Sequence, residues 1–234
     1  MILGIIGAMQ EEIELLLTKV KTEKTVEKAG LKFFVATYKG VKVVIVKSGI
    51  GKVNAALCAQ ILISEFAVTG VVNVGCAGGV IPSLEIGDVV VADEVVEHDY
   101  DLSTVWPSFK VGQLPEIGQF MQTDATYRQA AIKAAQSITD IGVSTGRVAS
   151  GDTFVSDSAL RQRIVDAVAP AAVEMEGAAI GHVCVLNKVP FVVIRSISDN
   201  ASTGAHSSFE EFLPKAAANA AAILLAMLDG FAAQ

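Results

Sequence analysis

Cysteine, histidine and tryptophan are all scarce in this chain. Its 234 residues hold three Cys, three His and one Trp, and aromatic residues make up 6%. Cys58, Cys76 and Cys184 are an odd number and form no C-x-x-C pair. No disulfide framework is suggested by that count and spacing. His98, His182 and His206 are far apart, so no zinc-ligand spacing exists either. Positive charge is also short: 18 Lys and Arg stand against 25 Asp and Glu, a net charge of −7. A nucleic-acid partner needs clustered cations to displace counterions, so that class is disfavoured. Charged residues are 18% of the chain, below the usual figure of about 25%.

What fills the space is apolar. Hydrophobic residues are 52% of the chain, which excludes a disordered class. The longest apolar stretch is Ala216–Leu228, interrupted by Asn219. It falls short of the roughly 18 residues of a span, so no membrane insertion is expected. Met1–Met9 lacks a basic flank and runs into Glu11 and Glu12. It does not read as a signal peptide, and a cytoplasmic location is expected. The remaining outlet for the apolar excess is a buried subunit interface.

Short Val/Ile runs alternate with helical patterns along the chain. Strands are expected at Ile2–Ile6, Phe33–Tyr38, Val41–Lys47, Val71–Val74, Asp88–Ala92, Val143–Ser150, Ala172–Glu174 and Pro190–Ser196. The second and third flank Lys39-Gly40 as a hairpin. Helices are expected at Glu11–Val20, Val53–Phe66, Asp124–Ile138, Asp157–Val168, Gly177–Leu186 and Ser207–Leu228. The last carries a Ser207-x-x-Glu210 capping box, and its Pro214 predicts a kink or split. No linker divides the chain, so residues 1–234 read as one α/β domain with a central mixed sheet. Val96–Pro115 breaks the pattern and holds Trp106; a long loop of this kind is often functional.

Two nucleotide motifs fail on inspection. Gly4-Ile5-Ile6-Gly7 lacks the middle glycine of the dinucleotide fingerprint. Gly49-Ile50-Gly51-Lys52 resembles a P-loop tail, but Val46 and Val53 replace its glycine and its magnesium-holding Ser/Thr. Gly75-Cys76-Ala77-Gly78-Gly79 follows a strand and reads either as a tight turn or as a place where a ligand nears the backbone. Glu11-Glu12 suits a helix N-terminus. Glu174-Met175-Glu176 sits in an apolar setting, where a carboxylate is costly unless paired or used. Arg195-Ser196-Ile197-Ser198-Asp199 ends a buried strand; for Arg195 the alternatives are a site role and a structural pair with a Glu.

Taken in order, Met9 with Glu12, Ser48–Ala56, Gly75–Gly79, Ser150-Gly151-Asp152-Thr153-Phe154, Val173–Glu176 and Arg195–Asp199 resemble the bacterial 5′-methylthioadenosine/S-adenosylhomocysteine nucleosidases of the nucleoside phosphorylase superfamily. The resemblance covers nearly the whole chain. It implies a three-layer sandwich whose mixed, partly barrel-like sheet is flanked by helices. It also implies a homodimer, a small nucleoside substrate, hydrolysis of the adenine–ribose bond, and no metal or organic cofactor.

The resemblance further implies roles. Asp199 is the acid at adenine N7, Glu12 activates water, and Arg195 orients both water and Glu12. Glu176 binds the ribose hydroxyls and Met175 packs on the sugar. Phe154 stacks on adenine, the Val155 backbone reads its edge, and Ser198 supports the purine end. Met9, Cys76 and Gly78 complete the substrate site. Ile50 and Phe209 line the 5′ pocket, to which Leu102 and Trp106 of a partner subunit contribute. Cys76 stands where the family usually has Ser, and a thiol is a poor donor, so a lower rate or affinity is expected. Gln10 and Val155 also depart from the common residues, without an expected consequence. Three alternatives remain: an aminofutalosine hydrolase, a purine nucleoside phosphorylase and a non-catalytic nucleoside-binding protein. Against phosphorolysis, the first turn is Gly7-Ala8-Met9 in place of Gly-Asp-Pro, and no Arg precedes Arg128.

Overall fold

A computed structural model describes residues 1–202 and 205–233. The element order is β1 (Ile2–Gly7), α1 (Gln10–Lys19), β2 (Lys21–Lys28), β3 (Leu31–Tyr38), β4 (Val41–Lys47), α2 (Lys52–Phe66), β5 (Gly70–Gly79), β6 (Val89–Glu97) and β7 (Met121–Gln122). It continues with α3 (Ala125–Gln136), β8 (Val143–Ser150), α4 (Ser158–Val168), β9 (Ala172–Glu174), α5 (Gly177–Asn187), β10 (Phe191–Asp199) and α6 (Ala205–Ala232).

The strands form one mixed sheet in the order β10-β6-β8-β9-β5-β1-β4-β3-β2, with β7 on β6. β10 also pairs with β5, which closes β10-β6-β8-β9-β5 into a five-stranded barrel. Alternation along the strands sorts the core. Ile6, Val44, Val46 and Val71 point to a cluster with Cys58, Ala59 and Leu62 of α2 and Ala178, Ile180 and Cys184 of α5. Leu3, Ile5, Val43, Ile45, Val72 and Val74 point the other way, to Ile13 and Leu16 of α1, Ala131 of α3 and Leu224 of α6. The result is the expected three-layer α/β sandwich.

Local chemistry sets the element ends. Asp124 and Asp157 cap α3 and α4 by accepting from the N–H groups of Tyr127 and Leu160. Lys39 and Gly40 both take positive φ, as the two-residue β3–β4 hairpin requires.

One strand was not expected, and three expectations need correction. β2, Lys-Thr-Glu-Lys-Thr-Val-Glu-Lys, has no apolar alternation because it is an almost wholly exposed edge strand; its charges suit an edge open to water. Gly75–Gly79 is no turn, since β5 runs through it to pair with β10 and β9. The last helix starts at Ala205, whose N–H donates to the Ser202 carbonyl, so Ser207 lies inside it and caps nothing. Pro214 does not split α6, which continues to Ala232. By length and composition alone, an 18-residue window of α6 is apolar enough to cross a membrane. Its Ala220, Ile223, Leu224 and Leu228 are fully buried against the sheet core.

Candidate active site

The carboxyl ends of β5 and β10, the β1–α1 turn and the β9–α5 junction converge on a cavity of about 340 Å³. Met9, Glu12, Ile50, Cys76, Gly78, Phe154, Val155, Met175, Glu176, Ser198, Asp199 and Phe209 all line it. These residues come from seven separate stretches of chain, and parallel pairing of β1, β4, β5 and β10 brings the strand ends together. Phe154 and Phe209 meet edge to face with centroids 5.6 Å apart.

Glu12 lies in the first turn of α1, 3% exposed. Its Oε2 accepts from the N–H groups of Ala8 at 2.6 Å and Met9 at 3.0 Å; its Oε1 accepts from Cys76 N–H at 3.0 Å. Burial pushes the Glu12 carboxyl above its ordinary range; the Arg195 charge and these three N–H groups offset only part of that. Gly75 is required here: a Cβ would sit 2.6 Å from Glu12 Oε1. The small residues of β5 therefore let a carboxylate approach the strand.

Asp199 ends β10 and lines the same cavity. Its Oδ1 accepts from Ala201 N–H at 2.7 Å, and Ser198 Oγ donates to its Oδ2 at 3.0 Å. Burial raises its pKa, and those two bonds counter it incompletely. Such a group holds a proton more readily than an exposed aspartate. The Cys76 thiol is raised mainly by burial and next by Glu12, so it is an inert, neutral lining group.

Glu176 precedes α5, and its Oε1 accepts from Gly51 N–H at 2.7 Å. Burial, then the charge of Glu174, pushes its pKa up to about 8. In the folded protein Glu176 therefore favours its proton more than the unfolded chain does. Its contribution to stability is complete below about pH 4.5 and is lost as pH rises toward about 8. The Glu176→Gln variant is expected to lose less melting temperature than wild type between pH 5 and 8, by calorimetry of the ligand-free proteins. Parallel pH profiles would refute the assignment.

Arg195 is 1% exposed and does not line the cavity. Its Nη2 donates to Glu174 Oε2 and Asn73 Oδ1, and its Nη1 to the Ile194 carbonyl at 3.1 Å. The pairing with a Glu is thus present, and Arg195 reaches Glu12 through its field. It makes no described hydrogen bond to Glu12; its hydrogen bonds go to Glu174, Asn73 and Ile194. Glu174 was legible only as part of the Glu-Met-Glu run in an apolar setting. It lines the cavity, accepts from Ser150 Oγ and the Gly177 and Glu176 N–H groups, and fixes the start of α5. Burial pushes the Glu174 carboxyl up, but Arg195, Ser150 and Gly177 outweigh it and hold its pKa low. Ala8, Ala77, Thr153 and Val173 also line the cavity and carry no distinguishing sequence signal.

Leu102 and Trp106 lie outside the cavity of their own chain. Trp106 is 53% exposed and packs near Phe109. Among the described residues, no group of three or more His, Cys, Asp or Glu is arranged to hold a metal ion.

Residues 2–229 match the Phosphorylase superfamily. A 5′-methylthioadenosine/S-adenosylhomocysteine nucleosidase of Marinomonas sp. (strain MWYL1) is 42% identical over 98% of this chain and 99% of its own. The Neisseria meningitidis nucleosidase of the same name, solved in complex with methylthio-immucillin-A, superimposes with a TM-score of 0.94 at 37% identity, covering 98% of this chain and 99% of that one. A futalosine hydrolase of Helicobacter pylori strain 26695 gives a TM-score of 0.92 at 36% identity, over 98% and 97%. With identity of this level along its whole length, and the same fold, the chain belongs to the phosphorylase superfamily and, within it, to the 5′-methylthioadenosine/S-adenosylhomocysteine nucleosidase family.

Proposed function

We propose that this chain hydrolyses the adenine–ribose N-glycosidic bond of 5′-methylthioadenosine and S-adenosylhomocysteine, and also of 5′-deoxyadenosine, releasing adenine and a 5-substituted ribose. The observation that carries the reading is the convergence of Glu12, Glu176 and Asp199 on one cavity that also holds Phe154 and Phe209.

Breaking this bond leaves negative charge on the base and positive charge on the sugar. Asp199, raised by burial, donates a proton to adenine N7 as the bond lengthens. Glu12, likewise raised, takes a proton from the water that attacks the anomeric carbon. Ribose 2′- and 3′-hydroxyls that donate to Glu176 favour its ionised form over the protonated form that burial favours in the ligand-free protein, and that charge favours the cationic sugar. Two carboxyl groups acting on opposite faces parallel inverting glycoside hydrolysis. Phe154 stacks on adenine, the Val155 backbone reads its edge, Met175 packs on ribose, and Ile50 and Phe209 receive the 5′ group.

The lining also speaks against phosphorolysis. Its carboxyl-bearing members among the described residues are Glu12, Glu174, Glu176 and Asp199, with no Lys, Arg or His. Glu174, whose pKa is held low, would repel phosphate with no cation in the lining to offset it, whereas water meets no such repulsion.

The chain acts as a homodimer. α2 and α5 lie side by side, joined at one end by Asn187 donating to Gln60. Val53, Leu57, Val185 and Leu186 are large, exposed and apolar on those helices, as are Val105 and Trp106 on the 98–120 loop. Covering such a face is the favourable outcome in water.

One panel tests the reading: base release from methylthioadenosine, adenosylhomocysteine, 5′-deoxyadenosine, aminofutalosine and inosine, with and without phosphate. Adenine is expected without phosphate, from the thio-nucleosides first. The likeness to a futalosine hydrolase makes aminofutalosine the second reading, favoured if it alone turns over. Strict phosphate dependence with a sugar-1-phosphate product would overturn hydrolysis. Sedimentation of the same preparation tests the dimer, which a stable monomer at micromolar concentration would exclude.

A further inference from the structure

We propose that Lys52 is a positioning residue for the ribose-binding carboxylate: its clamped ammonium fixes the β4–α2 turn so that the Gly51 N–H stays on Glu176. The proposal rests on the nucleosidase reading above and assigns a role to a side chain that lines no part of the cavity.

Three observations meet at this turn. First, Lys52 Nζ lies 2.9 Å from Glu97 Oε2 and 2.6 Å from Asp99 Oδ1, with the Lys52 side chain 18% exposed. Glu97 spends its other oxygen on His182 Nδ1 at 3.0 Å. Second, the turn's backbone is tied to the same cluster. Lys52 N–H donates to Asp152 Oδ1 at 2.7 Å, and Asp152 N–H donates to Asp99 Oδ2 at 2.9 Å. Third, the residue between this clamp and the cavity is Gly51. Its N–H donates to Glu176 Oε1, and its φ of +100° is one that glycine adopts without strain. A Cβ at Gly51 would also lie 3.0 Å from Asp152 Oδ1, so the turn and Asp152 are in close contact.

The ammonium therefore neutralises two carboxylates at the end of β6 that would otherwise repel each other and Asp152. Without it, the acids separate and the turn loses its anchor. Gly51 N–H then leaves Glu176, and Ile50, which lines the cavity from the same turn, shifts with it. The loss falls on the sugar end of the ligand. Asp199 and Ser198 end β10, which makes no described bond to this clamp, so the acid at the adenine end stays in place.

The test compares wild type with Lys52→Met, Lys52→Arg and Asp152→Ala. Calorimetry reads the affinity for a non-hydrolysable 7-deaza analogue of methylthioadenosine and for free adenine. Steady-state kinetics give kcat and KM for methylthioadenosine. Lys52→Met is expected to weaken the nucleoside analogue by roughly tenfold, the scale of one hydrogen bond to a charged group, while adenine affinity moves by less than about twofold. KM should rise by more than kcat falls. Lys52→Arg should recover most of the loss, and Asp152→Ala should move the nucleoside-to-adenine ratio in the same direction as Lys52→Met. Should Lys52→Met fail to fold, the same ratio in Lys52→Gln decides. A wild-type ratio in the folded variants, or equal weakening of nucleoside and adenine, overturns the proposal alone. Wild-type protein that releases no adenine overturns the nucleosidase reading and this inference with it.

Discussion

Replacing Asp199 with Asn is expected to cut adenine release from methylthioadenosine by about 10²–10⁴, the usual worth of a positioned general acid. Asn keeps the size of Asp199 and can still accept from Ala201 N–H, so the end of β10 should hold its shape. What disappears is the transferable proton. The loss should therefore fall on kcat, with KM moving little. A leaving group that needs no protonation separates the two explanations. Hydrolysis of a 4-nitrophenyl riboside should suffer far less than hydrolysis of the adenine nucleoside, because nitrophenolate departs as a stable anion. Equal losses on both substrates would mean that the substitution damages the cavity. Wild-type turnover on methylthioadenosine would remove Asp199 from the acid role.

The second large effect is on stability. Arg195 and Glu174 form an ion pair buried to a few per cent exposure, with Asn73 sharing the guanidinium. Arg195→Met removes one partner and leaves a carboxylate buried without its cation, which typically costs about 3–5 kcal/mol. Denaturant unfolding at pH 7 measures it. The pH dependence gives the cause. In wild type, Glu174 is held below its ordinary pKa against the effect of burial, so its contribution is present above about pH 4.5 and is lost as pH falls. In the variant, burial acts unopposed and the carboxyl takes up a proton instead. The gap between the two proteins should thus widen as pH rises. Adding Glu174→Gln to the variant should restore part of the stability, since the uncompensated charge is then gone. A loss below about 1 kcal/mol, constant with pH, would show that the pair is not what holds this region.

Both predictions concern residues whose type is plain in the sequence and whose partners are not. Glu12, Glu176 and Asp199 were legible because the ordered motifs that contain them resemble one family along the whole chain. Arg195 was legible as a charge at the end of a buried strand, but its partner was not. Glu174 is 21 positions away and Asn73 is 122, and it is the pairing of β5 with both β10 and β9 that brings all three together. Lys52 shows the same limit. As part of Gly-Ile-Gly-Lys it suggested the tail of a failed P-loop, whereas its ammonium lies between two acids 45 and 47 residues away.

By itself, the sequence determined whatever depends on neighbours along the chain. The Val/Ile runs became strands, Asp124 and Asp157 became caps, and Lys39-Gly40 became a hairpin turn, because backbone dihedrals and nearby N–H groups decide those features. The tertiary structure alone decided the rest. It added β2 as a charged edge, carried β5 through five small residues, and closed the barrel by pairing β10 with β5. It also put several carboxylates around one cavity with a single buried guanidinium beside it. Those features depend on which distant strands share hydrogen bonds and on how much water is excluded between them. Neither quantity is local to any stretch of the chain.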